Sequence, residues 1–215
     1  MILKNMKAMI SEHYQIYLSF LRELTGRPSV FTNPEDVENA IQYCQSVFNR
    51  NLAGYHVWRD EEKNLIATPD YIDERKDIVY LSAHVDTVGA NSSEWDAPFQ
   101  PFTVFEDHSE MVGRGVSDCK AGVALQLFIS ELAKRKELTL SNVIFTITFK
   151  EEGAGKKTSV EIGRNLGKKL PVSGNDTYLI VLENNVTIGE IPTLCIYTSE
   201  KGNFVITTTG TTFQI

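Results

Sequence analysis

The amino-acid sequence predicts an α/β protein, a three-layer sandwich in which helices flank a mostly parallel central sheet. Short apolar runs rich in β-branched residues alternate along the 215-residue chain with segments of helical periodicity, and this alternation is typical of strand–helix–strand units. Hydrophobic residues make up 42% of the chain and charged residues 23%, which is the composition of a folded domain rather than of a disordered segment.

The first two predicted helices each carry one apolar stripe. Spacings of four and three residues place the first stripe on one face of a helix, and it comprises Ile10, Tyr14, Tyr17, Leu21 and Leu24. The second helix is predicted to begin at Pro34, with Asn33 as its N-cap. Its buried face is expected to comprise Val37, Ile41, Cys44 and Phe48.

The later segments continue the alternation. A third helix is predicted over 120–136, with Val123, Leu127 and Leu132 facing inward, and a fourth is predicted near 158–170. Strands are predicted from short apolar runs at 55–58, 64–67, 78–85, 143–149 and 178–183, with further strands after 191. Because a domain rarely stops within an apolar strand, whose edge would be left unpaired, we interpret Ile215 as a truncation point.

Composition argues against several classes of function. The chain has 21 basic and 28 acidic residues, a net charge of −7 and no basic stripe, so nucleic-acid binding is not expected. The three cysteines form no C-x-x-C pair, which argues against a disulfide framework or a structural zinc knuckle. No run approaches the roughly 18 apolar residues of a membrane span, and a signal-peptide core is missing, so we expect a cytoplasmic protein with no membrane partner.

Polar residues follow the predicted strands at their carboxyl ends, where open α/β sheets bind ligands. His84 and Asp86 end the strand at 78–85. Side chains two residues apart share a side of a strand, so His84 can face a metal while Asp86 orients its imidazole. Taken alone, the H-x-D pattern is more typical of a surface or hydrogen-bonded histidine.

Three further acidic positions fit the same edge of the sheet. Asp118 lies in a glycine-containing turn before the third helix, where the helix N-terminus stabilises a carboxylate, although an ordinary N-cap is the alternative. Glu151 and Glu152 follow the strand at 143–149 and point in different directions, so one can bind a metal while the other accepts a proton from water. Their alternative is a solvated charged turn. Glu183 ends the next strand, and the four clusters together favour a metal site.

The chain resembles the M20 family of metallopeptidases and deacylases, which includes succinyl-diaminopimelate desuccinylase, acetylornithine deacetylase and carboxypeptidase G2. The resemblance covers nearly the whole chain and rests on motifs in the family's order: NLIA (64–67), HVDTV (84–88), WDAPF (95–99), GRGVSDCKAG (113–122), KEEGAG (150–155) and LEN (182–184). It implies an amidohydrolase that cleaves an N-acyl amino acid or a small peptide with two divalent metal ions. Zinc suits such ligands best, and cobalt or manganese could replace it.

The resemblance also implies roles for individual residues. His84 and Glu183 would bind one ion, Glu152 would bind the other, and Asp118 would bridge the two, which lie about 3.5–4 Å apart in such centres. Asp86 would orient His84, and Glu151 would be the general base.

The residue after the bridging aspartate departs from the family's pattern. In the family the peptide bond at this position is often cis, and here it joins Asp118 to Cys119. The usual residue is methionine, so Cys119 is either a small buried substitute or an oxidisable thiolate.

A second departure concerns the end of the chain. The family's last metal-binding histidine lies near its C-terminus, and no histidine follows His108 here. We therefore expect residues 1–199 to be the N-terminal part of a metal-binding catalytic domain and 200–215 to begin a lid domain, through which the family homodimerises. The alternatives are a catalytically incomplete fragment or pseudoenzyme with partial metal binding, and a different co-catalytic zinc aminopeptidase with a similar sheet.

Overall fold

Three α-helices and eleven strands are seen in the described part of the chain, a computed structural model. It describes in full residues 7–107, 111–153 and 176–182, and the backbone alone at 2–6, 186–188, 191–193, 195–198 and 206–207. The helices are α1 (Ile2–Thr25), α2 (Pro34–Asn51) and α3 (Lys120–Lys134), with one 3-10 turn at Ser92–Glu94. Within those ranges, no helix has the length and apolar character that a bilayer crossing requires.

Most of the strands belong to one mixed sheet. The strands are β1 (Tyr55–Arg59), β2 (Leu65–Pro69), β3 (Ile78–His84), β4 (Phe105–Glu106), β5 (Met111–Val112), β6 (Val143–Thr148), β7 (Thr177–Val181), β8 (Val186–Ile188), β9 (Ile191–Thr193), β10 (Cys195–Thr198) and β11 (Ile206–Thr207). Seven of them pair in the order β1-β2-β6-β3-β7-β10-β11, while β4–β5 and β8–β9 form separate pairs. The predicted α/β fold is confirmed.

Parallel pairing is confined to the three central strands. Strand β3 pairs in parallel with both β6 and β7, whereas the outer pairs β1–β2, β2–β6, β7–β10 and β10–β11 are antiparallel. The sheet is therefore mixed, and parallel only at its centre. Helix α3 makes the crossover from β3 to β6, as parallel neighbours require, so the loops after β3 and before α3 meet at one edge of the sheet.

One face of the sheet carries the main apolar core. Alternate strand residues Leu65, Leu81 and Phe145 point to this face and belong to one cluster with buried residues of all three described helices. The predicted inward residues of α2 and α3 are confirmed, with Ile41, Phe48 and Leu127 among those that are fully buried. A smaller cluster of Ile66, Ile78 and Ile144 lies on the opposite face. The fourth predicted helix, near 158–170, lies outside the described residues.

The structure differs from two sequence-based expectations about the helices, namely the burial of the α1 stripe and the capping bond of Asn33. Leu21 and Leu24 are buried, but Ile10 and Tyr14 of the same stripe are 43% and 37% exposed. Both exposed residues line a groove between α1 and α3 with Leu125 and Phe128, so only Leu21 and Leu24 of the stripe are fully enclosed. Asn33 occupies the N-cap position of α2 without a side-chain capping bond, because its amide instead donates to Asp36 at 2.7 Å.

Candidate metal centre

His84 is the last residue of β3, and its side chain is 2% exposed. Its Nδ1 lies 2.9 Å from the main-chain oxygen of Asp86, and its Nε2 lies 2.9 Å from Oδ1 of Asp118. A main-chain carbonyl oxygen only accepts hydrogen bonds, so we assign the hydrogen of the neutral ring to Nδ1. This assignment makes Nε2 the unprotonated ring nitrogen, which is the arrangement of metal-binding histidines that donate their other ring N–H to a backbone carbonyl.

The pair formed by His84 and Asp118 suits a cation. With the hydrogen on Nδ1, Nε2 and the carboxylate oxygen would otherwise face each other through their lone pairs at 2.9 Å. A second proton or a metal ion between the two atoms removes that repulsion. The Asp118 side chain is 50% exposed whereas His84 is buried, so the centre opens toward solvent on the aspartate side.

Asp118 is delivered by the loop that precedes α3. Gly115 in this loop has a φ of +82°, and a Cβ there would lie 2.8 Å from Cγ2 of Thr87. The loop therefore needs glycine for its backbone conformation and for its close approach to the end of β3. The peptide bond between Asp118 and Cys119 is cis, as the resemblance implied.

The Cys119 side chain is fully buried. Its Sγ donates to the main-chain oxygen of Leu182 at 3.0 Å, just beyond the end of β7. A reactive thiolate needs access to solvent, so this enclosure favours the interpretation of Cys119 as a small buried residue. The thiol also ties the loop that carries Asp118 to the strand that leads toward Glu183.

Glu151 and Glu152 follow β6, and both side chains are half-buried. Their backbone amides donate to the two carboxylate oxygens of Asp86, at 3.0 Å for Glu151 and 2.9 Å for Glu152. Burial raises the pKa of the Glu152 carboxyl, and the neighbouring acids Asp118, Glu151 and Asp86 raise it further, against an opposing effect of His84. The site therefore concentrates negative charge that a bound cation would compensate.

The structure brings three of the sequence-predicted ligands together. One ligand atom from each of His84, Asp118 and Glu152 lies within 4.8 Å of the other two. Glu151 and Asp86 adjoin this group, whereas Glu183 lies outside the described residues. Nitrogen and carboxylate donors sit about 2.0–2.2 Å from zinc, so small side-chain movements suffice for the three to share one ion or to divide between two.

A buried lysine beside the centre was missed by sequence reasoning. Lys120, the first residue of α3, is fully buried, and its Nζ donates to the main-chain oxygen of Arg27 at 2.8 Å. Burial lowers the pKa of its ammonium to about 7. A lysine in the first turn of a helix is ordinarily solvated, so the sequence carried no signal for this burial.

The segment between α1 and α2 also supports the centre. Ser29 Oγ donates to the main-chain oxygen of Val85 at 2.7 Å. The backbone amide of Phe31 donates to the main-chain oxygen of Thr87 at 2.9 Å. These bonds continue the pairing of the sheet beyond β3. Gly26 and Pro28 predicted only a turn, because a loop-to-loop pairing has no periodic sequence pattern.

The sequence of the chain is similar to those of known proteins. The model of peptidase family M20/M25/M40 matches residues 80–192. The chain is similar to succinyl-diaminopimelate desuccinylase 2 of Shewanella loihica, with 32% identity over 154 residues that cover 67% of this chain and 38% of that enzyme. It is also similar to acetylornithine deacetylase of Arabidopsis thaliana, with 30% identity over 105 residues that cover 48% of this chain and 23% of that one.

Solved structures share the fold. Human carnosine dipeptidase 1 superposes with a TM-score of 0.74 and 19% identity over 90% of this chain and 43% of that one. The di-peptidase Dug1p of Saccharomyces cerevisiae gives a TM-score of 0.69 and 15% identity over 87% of this chain and 42% of that one. The chain thus spans less than half the length of each of these relatives. The extent of the family match and the identity to the desuccinylase place the chain in peptidase family M20/M25/M40.

Proposed function

We propose that the chain is the metal-bearing part of an amidohydrolase that cleaves an N-acyl amino acid or a short peptide. The observation that carries the proposal is the convergence of His84, Asp118 and Glu152 beside Glu151, from three separate segments of the chain. The names of the relatives support both substrate classes, since two are a desuccinylase and a deacetylase and two are dipeptidases.

The proposed centre holds two divalent ions, with zinc as the first choice. His84 and Glu183 would hold one ion, Glu152 would hold the other, and Asp118 would bridge them. The donor set supports a borderline metal, because it combines one imidazole nitrogen with carboxylate oxygens. The contact of Nε2 with Asp118 also suits a cation, since both atoms present lone pairs in the neutral-ring form assigned above.

Glu151 is the proposed general base and acid. When bound, the metal ions would polarise the amide carbonyl and lower the pKa of the attacking water. Glu151 would take a proton from that water as its oxygen bonds to the carbonyl carbon, and would give the proton to the nitrogen as the C–N bond breaks. Its half-buried side chain and its neighbour Glu152 fit this role, because proton transfer needs a group beside the reacting atoms yet partly shielded from bulk water.

Domain, partner and location assignments complete the proposal. Residues 1–199 would form the N-terminal part of the catalytic domain, and 200–215 would begin the lid through which a homodimer forms. The location would be cytoplasmic, with a small molecule or short peptide as the partner.

Zinc binding by the metal-free chain tests the centre. In isothermal titration, we expect Asp118→Asn to lower zinc affinity at least about 100-fold, which corresponds to about 2.7 kcal/mol. The matched control is Asp70→Asn, at an exposed aspartate directly after β2. Its zinc affinity should stay within about threefold of that of the unsubstituted chain. Equal zinc affinity for Asp118→Asn and the unsubstituted chain would overturn the proposed centre.

Stoichiometry and hydrolysis separate the complete enzyme from its alternative. Two tightly held ions per chain, with hydrolysis of N-succinyl or N-acetyl amino acids or of dipeptides, support a working site. One ion and no hydrolysis would indicate a catalytically incomplete fragment that keeps the fold and part of the metal site.

A further inference from the structure

We propose that Asp86 is a positioning residue for the Glu151–Glu152 pair, which its carboxylate holds through two backbone amides. The consequence of this inference for metal binding rests on the proposed function, whereas the hydrogen bonds that carry it do not. It adds a second role to the one that sequence reasoning assigned to Asp86.

The Asp86 carboxylate uses both of its oxygens on one neighbouring loop. Oδ1 accepts the amide hydrogen of Glu151 at 3.0 Å, and Oδ2 accepts that of Glu152 at 2.9 Å. The side chain is fully buried, so these bonds compensate a charge that is out of contact with water. Hydrogen bonds to an ionised acceptor are about twice as strong as neutral ones, and two successive amides on one carboxylate fix two peptide planes at once.

The register of the sheet explains why Asp86 reaches these amides. Strands β3 and β6 run in parallel with His84 beside Thr148, and the amide of Val85 continues the pairing by donating to Thr148 at 3.2 Å. Asp86 therefore follows β3 at the level where the chain leaves β6 toward Glu151. Where the strand pairing ends, the Asp86 carboxylate accepts the hydrogen bonds of the next two amides, those of Glu151 and Glu152.

The imidazole of His84 has a nearer acceptor than the Asp86 carboxylate. Nδ1 lies 2.9 Å from the main-chain oxygen of Asp86 but 3.5 Å from its Oδ1. The longer distance is outside the usual range of an N–H···O hydrogen bond. Replacing the Asp86 side chain therefore leaves the nearer acceptor of Nδ1 in place, because that acceptor belongs to the backbone.

Asparagine at position 86 distinguishes the two roles. It is nearly the same size, but its side-chain amide replaces one carboxylate oxygen with an NH2 group, which would face an amide hydrogen of Glu151 or Glu152. One hydrogen bond is then lost and replaced by a contact between two donors. The main-chain oxygen that faces Nδ1 is unchanged.

Amide hydrogen exchange of the metal-free chain, followed by NMR, tests the contacts directly. We expect Asp86→Asn to accelerate exchange about tenfold or more at whichever amide of Glu151 and Glu152 faces the new NH2 group. A hydrogen bond to an ionised group contributes more than the roughly 1.4 kcal/mol that corresponds to a factor of ten. The control Asp118→Asn should leave both exchange rates within about threefold of the unsubstituted chain. Unchanged exchange in Asp86→Asn would overturn the proposal.

A measurement on the unsubstituted chain covers the case in which Asp86→Asn does not fold. Scalar couplings across hydrogen bonds should connect the amide nitrogens of Glu151 and Glu152 to the side-chain carboxyl carbon of Asp86. A coupling from Nδ1 of His84 to that carbon, with none from the two amides, would assign the carboxylate to the imidazole and overturn the proposal.

A double-mutant cycle on zinc affinity tests the consequence for the metal site. We expect Asp86→Asn to weaken zinc binding about 10–100-fold, the usual effect of losing a group that supports a ligand. In a Glu152→Gln background this effect should shrink to about threefold or less, while in a His84→Gln background it should persist. The opposite pattern would show that Asp86 acts through His84. A chain that binds no zinc at all would contradict the proposed function, and the exchange rates would still decide the role of Asp86.

Discussion

The core beneath α2 and the edge of the sheet that carries the candidate metal centre both bury side chains, but they bury different kinds. The core packs apolar side chains, such as Phe48 against Phe145 with ring centroids 5.3 Å apart. The edge instead buries His84, Asp86 and Lys120, which are at most 2% exposed. Each of these polar groups has a hydrogen-bond contact, because a buried polar group without one is costly.

Because of this difference, we expect substitutions in the core to change mainly stability and substitutions at the edge to change mainly metal binding. Apolar packing is non-directional, so a core substitution changes the free energy of unfolding in proportion to the volume lost and leaves the centre alone while the chain is folded. A bond at the edge is directional, so a substitution there moves a particular ligand or loop. Three variants test this contrast, beginning with the largest expected effect.

Phe145→Ala should destabilise the chain by about 3–5 kcal/mol, because it opens a cavity at a fully buried ring. Urea unfolding measures the loss, and zinc stoichiometry at low urea should be unchanged. The aromatic control Tyr71→Ala, at a position 76% exposed, should change stability by less than about 0.5 kcal/mol. Loss of zinc binding in folded Phe145→Ala would contradict the separation of core from edge.

Lys120 should make stability rise with pH by about 1.4 kcal/mol per unit between pH 7 and 9. Its pKa is about 7 in the folded chain against an ordinary 10.5, so over this interval the unfolded chain holds a proton that the folded chain lacks. Above pH 9 the gain should level off, because burial raises the pKa of the Cys44 thiol from 9.0 to about 12, which has the opposite sign.

Urea unfolding of the metal-free chain at several pH values measures this slope, and Lys120→Met is the control. Methionine fills similar space without a titrating group, so the slope over pH 7–9 should be lost. A slope of the same size in Lys120→Met would show that another group is responsible.

Gly153→Ala should lower zinc affinity about tenfold, or about 1.4 kcal/mol. Its Cβ would lie 2.5 Å from Cδ2 of Phe31, whose backbone is held at Thr87, so the loop that carries Glu152 must shift. Titration with zinc measures the effect. Adding Phe31→Ala makes room for the methyl group, so the double variant should bind within about threefold of Phe31→Ala alone; a further tenfold loss would mean that the ring is not the obstacle.

Sequence reasoning succeeded where the physical signal is local. The apolar spacing of α2 and α3 predicted which of their residues are buried, since a helix repeats every 3.6 residues regardless of its surroundings. The motifs around His84, Asp118 and Glu152 led to a group whose ligand atoms now lie within 4.8 Å of one another. The metal-binding roles of these three residues and of Glu183 stay predictions.

Tertiary context decided the rest. The exposure of Ile10 and Tyr14 depends on how α1 packs against α3, with which they line a groove. The burial of Lys120 depends on the carbonyl of Arg27, 93 residues away. The antiparallel flanks of the sheet depend on strand order, which periodicity does not encode.

The sequence by itself determined which side chains are candidates for chemistry and which of the described segments form strands and helices, because residue type and spacing indicate both. Only the tertiary structure decided what Asp86 contacts. The parallel register that sets His84 beside Thr148 brings its carboxylate to the amides of Glu151 and Glu152, while its main chain serves the imidazole. Register is a property of two paired strands, so neither strand's sequence contains it alone.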